Sequence, residues 1–206
     1  DLADTLALLL SWFAAKKAEE EPTAEKTWGY QRTTILAAFI NGIVLVLLTL
    51  FIFYRAYLRI LNPEPVEGVY IFSLAILGII FNGVILLRMR KAEESDLNLR
   101  SVFWHIGEDV LGWTGVLIAG IVLLFTDFYI IDPIISILIG LIVLRGAWEI
   151  IMEAVNILLE GVPKDINLKD VEDRIRKIKD VKGVHDTHIW NVGSKYNVLS
   201  THIVVK

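Results

Sequence analysis

The chain has 206 residues, of which 55% are hydrophobic and 21% charged, with a formal net charge of −4 and no cysteine. A mean hydropathy of +0.58 is too apolar for a soluble domain of this length, so the excess must face lipid. The negative, mixed charge argues against a nucleic-acid partner, and any metal must be held by His, Asp or Glu rather than by thiolates.

Crossing a hydrocarbon core of roughly 30 Å takes about 20 apolar residues as a helix. The first such run, Asp4 to Ala15, is already under way at the first residue, and this reading expects at least one earlier helix to be missing. Lys16 to Arg32 is a basic, polar connection, followed by the uncharged run Thr33 to Tyr54. The loop LNPEPVEG then carries acids and no Lys or Arg, although Arg55 and Arg59 lie just before it. A second uncharged run, Gly68 to Leu87, leads into the basic connection Arg88 to Arg100.

Val110 to Thr126 and Pro133 to Leu144 are the uncharged parts of two further segments, joined by the acidic loop TDFYIID. The positive-inside rule places the two basic connections and the C-terminal tail in the cytoplasm, and the spans alternate accordingly. Asn41 and Asn82, each followed by glycine, are expected to make helix–helix contacts. Trp12, Trp104, Trp113 and Trp148 read as packing residues or interfacial anchors.

After Arg145 the pattern turns amphipathic in GAWEIIMEAVNILLEG, where a helix should leave the membrane. Asn167 is a predicted N-cap for a helix with Val171, Ile175 and Ile178 on one face. GVHDTHIWNV and VLSTHIVV follow as strands around the turn GSKY. One helix and two strands bury too little for a finished domain, so this unit is expected to be incomplete. The division is residues 1–160, transmembrane, and 161–206, cytoplasmic.

Inside one span stands HIGED. Ionisable side chains in a membrane helix cost about 2.5–3.5 kcal/mol each on insertion scales, so they normally pair, bind an ion or line a pathway. His105 and Asp109, at i and i+4, share a helix face and can reach one ion. Glu108, roughly 100° round the helix from Asp109, is a weaker candidate. Asp4 offers a carboxylate from another helix, and a second i, i+4 pair completed at the position before Asp1 would make four ligands. The bland readings are a structural ion pair for His105 and Asp109, and a helix-start residue for Asp4 and more so for Asp1.

These segments together resemble the cation diffusion facilitator family of divalent-metal/proton antiporters. DLADTLALLLSWFA resembles its second transmembrane helix, WGYQRTTILAAFING the start of the third, LNPEPVEG the next loop and HIGEDVLGWTGVLIAG the fifth helix. DPIISILIGLIVL, ILLEGVP and GVHDTHIW resemble the sixth helix, its exit and the cytoplasmic domain. The resemblance implies a mainly α membrane protein. Helices two to six of a six-helix bundle would be followed by a truncated cytoplasmic α+β, metallochaperone-like domain, in a homodimer.

The resemblance also implies a transport site of His/Asp-x-x-x-Asp pairs on helices two and five, matched here by Asp4, His105 and Asp109, with the remaining ligand before Asp1. At the family's second-ion positions stand Lys26, Thr27 and Tyr30, so that site is expected to be lost. His185 and His202 align with metal-binding histidines of some members, and His188 is expected on the same strand face as His185. A strand histidine equally serves as a hydrogen-bonded structural residue. Arg32 and Glu160 match a charge interlock between helices three and six.

The expected function is export of a divalent cation from the cytoplasm in exchange for protons, from an integral position in the cell (inner) membrane. Zn²⁺ is favoured by the imidazole, with Co²⁺, Cd²⁺, Ni²⁺, Fe²⁺ and Mn²⁺ as alternatives. Metal and proton compete for the same ligand atoms, which couples the two fluxes. No resident cofactor is expected; the partners are the metal, protons, lipid and a second copy. The rivals are an intramembrane metalloenzyme, which lacks the His-Glu-x-x-His pattern, and a transport-inactive interaction subunit, which would not retain the intramembrane acids.

Overall fold

The computed structural model describes residues 2–62, 68–93, 96–126, 130–193 and 196–206, with side chains described except at 2–4, 68–74, 91–93 and 123–125. Five long helices come first: α1 (Leu2–Ala18), α2 (Arg32–Leu61), α3 (Gly68–Glu93), α4 (Leu97–Phe125) and α5 (Ile131–Leu158). A short α6 (Leu168–Arg176) and an antiparallel hairpin, β1 (Val181–Asn191) and β2 (Asn197–Val205), complete the order. Among the described residues three helical stretches, Arg32–Leu61, Leu97–Val122 and Ile131–Leu158, are long and apolar enough to cross a membrane.

α4 and α5 run past their uncharged runs because polar residues there are given partners. α4 begins on Asp96, whose carboxylate accepts from the backbone N–H groups of Asn98 and Leu99, satisfying two of the first-turn donors. Arg100, one turn further on, donates to Glu153 at 2.9 Å and to Glu149 at 3.2 Å on α5. The amphipathic C-terminal half of α5 thus faces a cation on α4 with its acids, and α5 continues to Leu158 before leaving the bundle.

α2 and α5 are the most extensively packed pair. Ile35, Ala38, Ile150 and Ala154 form one buried cluster with Leu97 and Ile157, and Leu45 packs with Val143 and Ala147 in another. Small residues set the spacing. A Cβ at Gly42 would lie 2.9 Å from Ile151, and one at Gly146 would fall inside the Trp104 indole. Trp104 is therefore a packing residue, as is Trp113, which occupies the same kind of notch against Gly78. Gly83 faces open space, so the two Asn-Gly pairs, alike in sequence, are not alike in packing.

The α2–α5 pair is bound by charge at both ends. The Arg32 guanidinium donates to Glu160 at 2.7 Å, the interlock expected from the sequence. At the opposite ends Arg59 pairs with Asp132 at 2.5 Å, which accounts for an arginine beside an otherwise acidic loop.

In the C-terminal unit Asn167 caps α6, accepting from the N–H groups of Lys169 (3.0 Å) and Asp170 (3.4 Å). α6 stops at Arg176, so Ile178 lies beyond it and is exposed, unlike the half-buried Val171 and Ile175. The two strands form where expected, with Val184 and Ile189 buried. Within the turn GSKY, Ser194 and Lys195 lie outside the described residues.

Candidate metal centre

The orientation of the bundle follows from its contacts. Thr33 and Gln31, at the start of α2, donate to the carbonyls of Ala14 and Ala18 at the end of α1. Arg32 meets Glu160, just beyond α5. Asn98, in the first turn of α4, donates through Nδ2 to the Ser11 carbonyl at 3.0 Å. The end of α1 and the starts of α2 and α4 therefore share the side on which α5 delivers the C-terminal unit.

Among the described residues of the bundle, His105 is the buried ionisable group, with 2% of its surface exposed. It follows Trp104, whose ring is locked against Gly146, so packing on one side fixes the helix that presents the imidazole on another. Asp109 lies one turn further along α4 and is half-buried, with Glu108 beside it. Ser11 of α1 touches Asn98 of α4, and the two helices run in opposite directions. Asp4 lies seven residues before Ser11 and His105 seven after Asn98. Each is therefore displaced by about 10 Å from that contact in the same direction, which brings the Asp4 backbone to the depth of His105.

The side chain of Asp4, and all of Asp1, lie outside the described residues. Among the described residues, no three His, Asp or Glu side chains form a group that could hold a metal ion. His105 and Asp109 are two residues on one helix that could bind an ion, and α1 is the helix whose backbone reaches the same depth.

Around Tyr30, the loop after α1 carries cations where a second ion would sit. The Lys17 ammonium is 4.2 Å from the Tyr30 ring centroid and that of Lys26 is 5.7 Å away. Lys17 is also paired with Glu20 at 2.6 Å, and the positions expected for a second ion carry Lys26, Thr27 and Tyr30 rather than His or Asp.

In the hairpin, His185 pairs with His202 and His188 with Ser200, so three residues on β1 oppose two on β2. His185 and His188 are three positions apart, and regular alternation would set them on opposite faces. The bulge between them, with Asp186 at φ 54°, absorbs one residue and restores His185, His188 and His202 to a single exposed face. The His185 and His202 rings meet edge-on at 5.4 Å.

The Asp186 carboxylate lies 2.9 Å from His188 Nε2 and 3.7 Å from His202 Nδ1. The hydrogen bond from His188, followed by the attraction of the neighbouring imidazoles, holds that carboxyl below its ordinary value. Asp186 is a participant that sequence reasoning passed over. Its signal was its place directly after His185, but only the strand register reveals that it turns back between the histidines.

Residues 1–159 match the family model for the cation efflux transmembrane domain, and residues 163–206 match the model for the cytoplasmic domain of cation efflux proteins. The chain belongs to the cation efflux family. Among relatives of this cation efflux chain, the zinc transporter ZitB of Escherichia coli strain K12 is 39% identical over 206 residues, covering 99% of the chain and 66% of the relative. The cadmium, cobalt and zinc/H(+)-K(+) antiporter of Bacillus subtilis strain 168 is 34% identical over the same length, with the same coverage. The metal cation efflux system protein CzcD of Cupriavidus metallidurans is 36% identical over 203 residues, covering 98% of the chain and 64% of the relative. The cation efflux chain therefore spans just under two thirds of the length of these curated relatives. It is a membrane protein of this family with its C-terminal unit in the cytoplasm.

Proposed function

We propose that this chain forms part of a secondary transporter that exports a divalent cation from the cytoplasm in exchange for protons. The cargo is Zn²⁺ in preference to Co²⁺, Cd²⁺, Ni²⁺, Fe²⁺ or Mn²⁺, held by Asp4 of α1 and by His105 and Asp109 of α4. The observation that carries this reading is an imidazole buried to 2% exposure in an apolar bundle, with a carboxylate one turn away on the same helix. A charged residue in such a place is costly unless it serves an ion or a partner. The relatives are named for zinc, or for cadmium, cobalt and zinc, which supports a borderline divalent cargo.

The chemistry couples the two fluxes at the ligand atoms themselves. Imidazole binds metal only when neutral and carboxylate only when ionised, so a site that turns from one face to the other exchanges one cargo for the other. The reading includes residues 1–160 as the membrane part and 161–206 as the cytoplasmic part. It also takes the working form to be a homodimer in the cell's inner membrane. A second metal site at His185, His188 and His202, which on their own do not form a metal-holding group and would need a ligand from outside the described residues, belongs to the same proposal.

The test is exchange by the full-length protein in proteoliposomes. Zn²⁺ uptake driven by a pH gradient is expected in the wild type and absent in Asp109→Ala and His105→Ala. Undiminished uptake in those variants would remove the site, and no exchange of any divalent cation by the wild type would remove the function.

A further inference from the structure

Besides His105, the buried polar side chains among the described residues are Ser11, Asn41, Thr49, Asn98 and Ser101. Thr49 is accounted for by its own helix, donating to the Leu45 carbonyl at 2.8 Å. The others join His105 in one column. Asn98, Ser101 and His105 stand at i, i+3 and i+7 and so share one face of α4. Asn41 of α2 donates through Nδ2 to Ser11 Oγ at 2.9 Å, with the Ala7 carbonyl and Ser101 Oγ each at 3.4 Å. Ser101 Oγ donates to the Asn98 carbonyl at 2.7 Å.

The column starts at the cytoplasmic end of α4 and ends about 10 Å deeper at His105. At its cytoplasmic end one atom is unmatched. Asn98 is 3% exposed, its Nδ2 is used on Ser11, and no donor among the described residues reaches its buried Oδ1. A bare carbonyl oxygen inside an apolar bundle is unfavourable unless something electropositive visits it.

Resting on the transport reading above, we infer that this column is the cytoplasmic half of the cation path. A divalent cation shedding its water is passed over the neutral oxygens of Asn98, Ser11 and Ser101 to His105. Neutral oxygens suit a way station, because they replace hydration waters without holding the ion as a carboxylate would. Asn41 is the positioning residue of this path. Its Nδ2 hydrogens rest on Ser11 Oγ and Ser101 Oγ, setting the positive end of the amide against oxygens a cation would use, so amide and cation compete for the same oxygens. With the amide engaged the column is shut; when it turns away the oxygens face the ion.

Two measurements on the full-length protein test this. In oriented proteoliposomes, Asn98→Leu, which removes Oδ1 at nearly constant volume, is expected to slow Cd²⁺ entry from the cytoplasmic face at least tenfold. Equilibrium Cd²⁺ binding in detergent should stay within twofold. Unchanged entry, or a parallel loss of equilibrium affinity, overturns the path. Independently of transport, a cysteine introduced as Ser101→Cys is expected to react with an impermeant maleimide only from the cytoplasmic face. That reaction should be at least tenfold faster when combined with Asn41→Ala. Equal rates with and without Asn41, or labelling from the outer face, overturn the latch. The failures are separable: undiminished exchange in Asp109→Ala sinks the transport site, whereas wild-type behaviour of Asn98→Leu beside an inactive Asp109→Ala sinks the path alone.

Discussion

Trp104 and Gly146 fix the helix that carries His105, and their contact is an interlock of shape. The indole fills the place a Cβ would take, so there is no room for a side chain at position 146. Gly146→Leu is expected to destabilise the bundle by about 1–3 kcal/mol, the usual cost of overpacking, read as a lower melting temperature in detergent. Trp104→Ala in the same molecule should relieve part of that loss. At the hairpin, the Asp186 bulge gathers three histidines on one exposed face. His202→Ala is expected to lower the number of Zn²⁺ ions bound per chain by the full-length protein, measured by equilibrium dialysis, while leaving pH-driven exchange in place. An unchanged stoichiometry would remove the cytoplasmic site.

At the level of elements, the charge pairs on α2 and α5 differ in setting. In the Arg32–Glu160 pair the two side chains are 39% and 59% exposed, whereas Asp132, partner of Arg59, is only 19% exposed. Exposed pairs contribute about 0.2–1 kcal/mol, so Arg32→Ala should shift the melting temperature little. Asp132→Ala, which strands an arginine beside a less accessible position, should shift it more. Exchanging the charges of Arg32 and Glu160 together should restore what each single reversal loses.

The helices were legible because membrane spans announce themselves as uncharged runs. Their true ends were not, because α4 and α5 extend through Arg100, Glu149 and Glu153, which only mutual pairing makes tolerable. His105 and Asp109 stood out as ionisable groups in an apolar stretch. Ser11, Asn98 and Ser101 did not: the i, i+3, i+7 spacing of Asn98, Ser101 and His105 was present, but uncharged polar residues gain meaning only when three helices bring them together. The shared face of His185 and His188 depends on a bulge, which is a property of strand pairing rather than of either strand.

For the whole molecule, the proposed coupling of metal to protons makes a prediction that no single side chain can. Uphill Zn²⁺ accumulation should stop when a protonophore collapses the pH gradient, while one-for-one exchange of labelled for unlabelled Zn²⁺ persists, because that exchange needs the site to turn but not to change protons. Loss of both together would indicate that the protonophore damages the protein or that protons are required for turning itself. The cytoplasmic unit belongs to this scale as well. β1 ends against the loop between α1 and α2, where Gly193 comes so close that a Cβ there would lie 3.1 Å from that of Gln31.

The two ion pairs that bracket α2 and α5 have a mechanical consequence. Sliding one helix past the other by a turn, about 5.4 Å, would break both contacts at once, at opposite faces of the membrane, and only Asp132 would meet a new arginine, Arg55, one turn before Arg59. Tilting the two together breaks neither. The close seating of Ile151 at Gly42 and of Phe53 at Gly140 adds a steric bar to that slide, so on the transport reading proposed above the displacement that turns the cargo is taken up where α1 and α4 meet the pair, along the seam occupied by Asn41.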